Sequence, residues 1–278
     1  MKRFVLILIS LFSLMLSFTD YSETTNNYPS KVISLGPYVT ENLLLLGIND
    51  EIIGVTIHEK PEIKKGRFLV GTLLDPNIEA IVNLKPDLVI ASKEGNRKQT
   101  IEKISNLGIN VVVLDEVKTF EDLKLNFIKL AEIFGKQKIA KKIIVDIEKE
   151  LAKHSKDISW KKRKKIFWQL GTRPLVTAGK DSYFNEISEY AGVENLFGNL
   201  KTKYITVNTE EVIKRNPDII VAMGMGEDFY IRDFWKPFQT VNAVKNKKIF
   251  KVDDYDFCSP TPKSFLKSVK TISEFAKN

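Results

Sequence analysis

Polar and apolar positions along this chain alternate between two rhythms: short uncharged runs, and longer stretches with helical period. The first run is the longest. Phe4 to Phe18 carries no charge and only Ser10, Ser13 and Ser17 as polar members, behind Met1-Lys2-Arg3. A positive start, an apolar core of this length and the polar continuation Thr19 to Asn27 predict a signal peptide. A spanning helix would need about 20 apolar residues, and an uncleaved anchor is the alternative. Ser17 and Thr19 form a loose small-x-small pattern, so residues 1–19 are expected to be removed and the mature chain to begin near Asp20.

Downstream the runs become strand-length and alternate with helices. Lys31 to Gly36, Glu51 to Thr56, Leu88 to Ala91 and Ile109 to Leu114 read as strands in the first half, with helices at Thr40 to Leu46 and Arg97 to Leu107. In the second half Ile166 to Leu170, Ile219 to Ala222 and Ile249 to Val252 read as strands, with helices at Ser182 to Ala191 and Lys263 to Ala276. Uncharged, β-rich runs interleaved with helices predict parallel sheets. Between the halves, Thr119 to about Ser159 is proline-free, of helical period and divided by Gly135; its part from Lys136 to Lys156 would span about 30 Å as a helix. The expected fold is α/β: two parallel-sheet lobes, residues 31–118 and 160–278, joined through 119–159 by a long rigid backbone helix.

The chain also matches itself. Asn77-Ile78-Glu79 through Pro86-Asp87-Leu88-Val89-Ile90-Ala91 recurs as Asn208-Thr209-Glu210 through Pro217-Asp218-Ile219-Ile220-Val221-Ala222, 131 residues later. Each copy reads as an Asn-capped helix with Glu in its first turn, stopped before a proline and feeding a core strand.

Composition narrows the function classes. Without Lys2 and Arg3 the chain holds 41 basic and 35 acidic residues, a net charge of +6, which favours an anionic ligand. The lysines are dispersed, with Lys161 to Lys165 the one dense run, so no nucleic acid is expected as partner. One cysteine, Cys258, allows no intramolecular disulfide, and no cysteine follows the apolar run to carry a lipid anchor. Cys258 itself reads as a small buried residue. Two histidines cannot build a multi-His site for a bare metal, and no resident cofactor or metal is expected. No P-loop, dinucleotide fingerprint or convergent acid–base cluster appears, so the chain is not expected to be an enzyme. An exported two-lobed α/β enzyme is the alternative from another class.

Taken together in order, Ser34-Leu35-Gly36-Pro37-Tyr38-Val39-Thr40-Glu41, Val70-Gly71, Asn77-x-Glu79, Lys85-Pro86-Asp87-Leu88-Val89-Ile90, Leu107-Gly108-Ile109-Asn110-Val111, Gly179-Lys180-Asp181-Ser182, Gly192-Val193-Glu194-Asn195-Leu196, Asn216-Pro217-Asp218 and Asn242-Ala243-Val244 resemble the Fe/B12 periplasmic-binding family, the helical-backbone class of ABC solute-binding proteins. Within it, Ala91-Ser92-Lys93-Glu94-Gly95-Asn96 and Phe167-Trp168-Gln169-Leu170-Gly171 look most like cobalamin-binding members. Leu73 and Ser92 stand where those similar proteins tend to carry tryptophan, and Pro260-Thr261-Pro262 where much of the family has Pro-Arg. The resemblance implies a monomeric periplasmic receptor for a metal chelate, a corrinoid first and haem or a ferric siderophore next. It also implies that Glu79 and Glu210 dock the two lobes on an ABC permease; each also suits a plain helix start.

Loops at strand ends are where ligands sit in parallel α/β sheets. Tyr38, His58, Arg97, Arg173, Tyr183, Tyr204, Tyr230, Arg232, Trp235 and Tyr255 occupy such places and are the candidate ligand-binding residues. Aromatic faces lie against a macrocycle, arginines pair with carboxylates, and a single His or Tyr could bind haem iron axially. His154 is expected on the backbone helix, solvated.

Overall fold

The structure is a computed structural model describing residues 28–156, 158, 163–223 and 231–277. The expected signal peptide, Tyr230 and the Lys161–Lys162 part of the basic run lie outside the described residues. The first half contains β1 (Val32–Ser34), α1 (Pro37–Leu45), β2 (Ile52–Val55), α2 (Pro61–Lys64), β3 (Phe68–Leu69), α3 (Ile78–Leu84), β4 (Leu88–Ser92), α4 (Lys98–Asn106) and β5 (Val111–Leu114). Two helices follow, α5 (Phe120–Ile133) and α6 (Gln137–Lys156). The second half contains β6 (Lys165–Gln169), β7 (Gly171–Thr172), β8 (Leu175–Ala178), α7 (Tyr183–Ala191), β9 (Glu194–Asn195), β10 (Tyr204–Thr206), α8 (Thr209–Arg215), β11 (Ile219–Met223), α9 (Ile231–Trp235), α10 (Asn242–Lys245), β12 (Ile249–Val252), α11 (Asp254–Cys258) and α12 (Pro262–Lys277).

Two parallel sheets result, β3-β2-β1-β4-β5 in the first lobe and β12-β11-β6-β9 in the second. A feature that the apolar runs did not announce is a small antiparallel sheet, β10-β8-β7, on the second lobe. Its strands β7 and β10 are only two and three residues long and partly exposed, so they lack the long apolar run of a core strand.

The repeated unit has the same physical construction twice. The Asn77 side chain accepts from Ala80 N at 2.9 Å, and Asn208 accepts from Glu211 N at 2.8 Å. Each helix ends on a left-handed residue, Lys85 at φ 47° and Asn216 at φ 50°, and the following Pro-Asp turns into the strand. The Asp87 carboxylate accepts from Ser30 N, Ser30 Oγ and Lys31 N, which ties the unit to the start of β1. Asp218 accepts from Lys165 N at the start of β6 and from Asn242 Nδ2. In both lobes the unit's strand therefore pairs with the lobe's first strand, Leu88 beside Val32 and Ile219 beside Ile166.

The connection is stiffer than one helix. Gly135, at φ 64°, turns the chain so that α5 and α6 pack side by side. Each divides its buried face between two cores. Phe120 and Leu123 of α5, with Ile147 and Leu151 of α6, join the second lobe's core. Phe127, Leu130 and Ala131 of α5, with Ala140 and Ile144 of α6, join the first lobe's. Each large side chain so buried contributes about 1.5–3 kcal/mol. His154, expected solvated, is half buried, with Nε2 2.7 Å from Ser273 Oγ of α12. Helix α1 begins at Pro37 rather than Thr40, because proline at the first helical position needs no hydrogen-bond partner for its nitrogen. Thr40 is thereby placed inside the helix with a side chain free for other work.

Candidate functional site

A cavity of about 260 Å³ lies between the lobes. The first lobe supplies the loops leaving β1, β3, β4 and β5, represented by Gly36–Tyr38, Leu73, Ser92, Glu94, Gly95 and Val117, at the carboxyl ends of its parallel strands. The second lobe supplies Asp254, Tyr255, Cys258, Ser259 and Pro260, from α11 and the bend after it. The wall is apolar with hydroxyls and two carboxylates, Glu94 and Asp254, and no Lys, Arg or His lines it. The net positive charge of the chain is thus not gathered at the cleft. Among the described residues no group of three or more His, Cys, Asp or Glu could hold a metal ion.

Three sets of contacts cross from lobe to lobe around this space. On one flank Lys203 Nζ lies 2.7 Å from Glu94 Oε1 and 2.6 Å from Glu116 Oε1, and the Tyr204 hydroxyl donates to Glu94 at 3.2 Å. The Lys203 ammonium beside Glu116 holds that carboxyl below its ordinary range. On the other flank the Tyr255 hydroxyl donates to Glu59 Oε2 at 2.8 Å, and Thr40 donates to Glu59 Oε1 at 2.7 Å. Lys60 Nζ sits 4.1 Å from the centre of the Tyr255 ring. Burial pushes the Glu59 carboxyl above its ordinary value, offset in part by the two hydroxyls. Between the flanks Asn42 Nδ2 donates to Pro260 O at 3.0 Å.

The family model for periplasmic binding proteins matches residues 32–255. The chain belongs to the periplasmic binding protein family. Among members of this family, the vitamin B12-binding protein of Pectobacterium carotovorum is 30% identical over 221 residues, covering 78% of this chain and 79% of that protein. An uncharacterized ABC transporter substrate-binding lipoprotein of Bacillus subtilis is 28% identical over 261 residues, covering 90% of this chain and 81% of that protein. Of solved structures, a possible iron-binding periplasmic solute-binding protein from Staphylococcus epidermidis superposes with a TM-score of 0.77 at 26% identity, over 90% of this chain and 100% of that one. The family consists of substrate-binding proteins rather than enzymes, and no helix among the described residues is long and apolar enough to cross a membrane.

In this periplasmic binding protein the candidate residues part company. Tyr38 and Tyr255 line the cavity. Tyr38 also accepts at its hydroxyl from Asn126 Nδ2 of α5 at 2.9 Å, and burial pushes its phenol above the ordinary value. Tyr204 stands at the rim through its bond to Glu94. Tyr183 and Trp235 are corrected: both are core residues, Tyr183 4% exposed against Phe184 and Phe265, and Trp235 fully buried against Phe167. The Trp235 indole donates to Gln169 Oε1 at 2.8 Å, so its one polar atom is satisfied away from the cleft. Their positions at loop edges suggested accessibility, whereas the start of α7 and the end of α9 face inward.

His58, Arg97, Arg173 and Arg232 do not line the cavity. His58 is exposed in the turn after β2, where the neighbouring Glu59 takes the inward place. Arg97 is exposed before α4, and Arg173 is exposed between β7 and β8. Arg232 belongs to a separate groove with Lys236, Lys245 and Lys247. Cys258, read as buried, is exposed and lines the cleft. Glu79 and Glu210 are exposed in the first turns of α3 and α8 and take no part in the cleft wall. Glu59, Glu94, Lys203 and Asp254 were not singled out as site residues. No local signal marks them, because each acquires its role from a partner in the other lobe or from the bend of α11.

Proposed function

We propose that this chain is the receptor of an ABC importer and that it delivers a corrinoid of the vitamin B12 type, held between the lobes. The observation that carries the ligand is the cleft wall: apolar surface, hydroxyls and the carboxylates of Glu94 and Asp254, with no basic side chain. A corrinoid presents mostly neutral amides, whose N–H groups donate to carboxylates and hydroxyls. Haem and carboxylate siderophores bring carboxylates to a wall that offers no Lys, Arg or His side chain to pair with them, which opposes binding. The cobalamin-binding relative supports the same ordering. The cavity, about 260 Å³, lies below the usual range for ligand pockets of about 300–1,000 Å³, so the lobes part to admit a macrocycle.

In this reading residues 1–19 are a signal peptide, 31–118 and 160–278 are the lobes and 119–159 is their connection. The mature receptor works as a soluble periplasmic monomer. Exposed Glu79 and Glu210, one on each lobe at equivalent positions of the repeat, dock on basic pockets of the permease. Titration of purified protein with cyanocobalamin, haemin and a ferric carboxylate chelate, followed by calorimetry and absorbance, tests the ligand. Cyanocobalamin is expected to bind at least about tenfold more tightly than either of the others, a difference of about 1.4 kcal/mol. Tighter haemin binding, or no binding of cyanocobalamin, would overturn the assignment.

A further inference from the structure

Glu59 is a carboxylate buried to 3% exposure that does not line the cavity. A group of this kind is costly to bury and needs a compensating arrangement. Here one oxygen takes the Thr40 hydroxyl from its own lobe, and the other takes the Tyr255 hydroxyl from the opposite lobe. Tyr255 is a cleft-lining ring, and Lys60, the residue after Glu59, sits over that ring. The same short turn therefore grips Tyr255 at its hydroxyl and at its face.

We propose that Glu59 is a positioning residue of the ligand cleft: it touches no ligand, but by accepting the Tyr255 hydroxyl across the lobes it fixes the ring that walls the cleft and slows the lobes' parting. This rests on the reading that the cleft is the ligand site. Because Glu59 stands outside the cavity wall, the ligand does not displace it, and when the lobes close again on the ligand the bond re-forms and retards release. The contact on the opposite flank, Lys203 with Glu94, differs in kind, since Glu94 faces the cavity and is available to a ligand.

Tyr255→Phe removes only the hydroxyl, Glu59→Leu removes the acceptor, and Glu59→Gln keeps one acceptor oxygen. Stopped-flow dissociation of cyanocobalamin should be about three- to tenfold faster in Tyr255→Phe and in Glu59→Leu, the scale of one lost hydrogen bond. The double variant should be no faster than the faster single one, because both delete the same interaction. Glu59→Gln should return the rate to within about twofold of the parent. A Tyr255→Phe rate within twofold of the parent, or additive effects in the double variant, would overturn the proposal. Hydrogen–deuterium exchange of ligand-free protein is the second readout. Tyr255→Phe should raise exchange across residues 253–259, and unchanged exchange there would also overturn it. If the parent binds no cyanocobalamin, the cleft reading falls, and the exchange result alone decides whether Glu59 holds the lobes.

Discussion

The two lobes carry one helix–strand unit in two different settings. Backbone features are shared to a fine level: an Asn cap, a left-handed stop, and an Asp that ties the new strand to the lobe's first strand. Charge and site are not shared. Residues 31–118 hold 11 basic and 12 acidic side chains, whereas residues 160–278 hold 21 and 14. The first lobe walls the cleft with loops from four of its strands, the second with one segment after β12. Duplication has thus kept what the backbone requires and released what the ligand requires. Net charge is a poor guide to the ligand here for the same reason, since the basic excess sits in the second half and none of it lines the cleft.

The strongest way to test the equivalence of the lobes is at the permease. Reversing both Glu79 and Glu210 to Arg is expected to abolish uptake in a transport assay while leaving ligand affinity of the isolated receptor within about twofold, because like charges are then pressed together at the interface. Equal loss of affinity would place these carboxylates in the ligand site instead.

A smaller effect separates core aromatics from cleft aromatics. Trp235→Ala is expected to lower unfolding stability by about 3–5 kcal/mol, the range for emptying a buried aromatic site, with unchanged affinity in the fraction that folds. Tyr255→Ala should weaken ligand binding by about 1–3 kcal/mol and lower the thermal midpoint by less than Trp235→Ala does, since the interior contact it removes is the hydroxyl bond to Glu59.

The smallest effect concerns the repeat itself. Asp87, which is exposed, accepts three hydrogen bonds and Asp218, which is half buried, accepts two, so Asp87→Ala should cost more than Asp218→Ala, each about 1 kcal/mol. Hydrogen bonds from Ser30 and Lys31 hold the Asp87 carboxyl below its ordinary value. Its contribution is therefore present at neutral pH and is lost as pH falls through and below about 3.9. In denaturant titrations the difference between variant and parent should be smaller at pH 3 than at pH 7.

These contrasts also mark what was legible beforehand. The helix–strand units were, because an Asn cap, a Pro stop and an apolar strand act within about fifteen residues of chain. The site was legible only in part. Tyr38 sits beside a Gly-Pro turn after a strand, a local arrangement that points to a strand end. Glu59 looks like one polar member of the turn Ile57-His58-Glu59-Lys60, and its burial depends on Tyr255, 196 residues away. Lys203 finds Glu94 across 109 residues. Trp235 misled for the opposite reason: the five-residue α9 is too short to display a period, so its inward face gave no sign.

The divided faces of α5 and α6 bear on how this molecule is made. Within one helix, Phe120 and Leu123 belong to one core and Phe127 and Leu130 to the other. A chain cut at any point along that helix leaves a stripe of large apolar side chains without a partner, prone to stick to other chains during synthesis. The duplicated halves have become parts of a single cooperative unit, and neither can be released, exchanged or inherited alone.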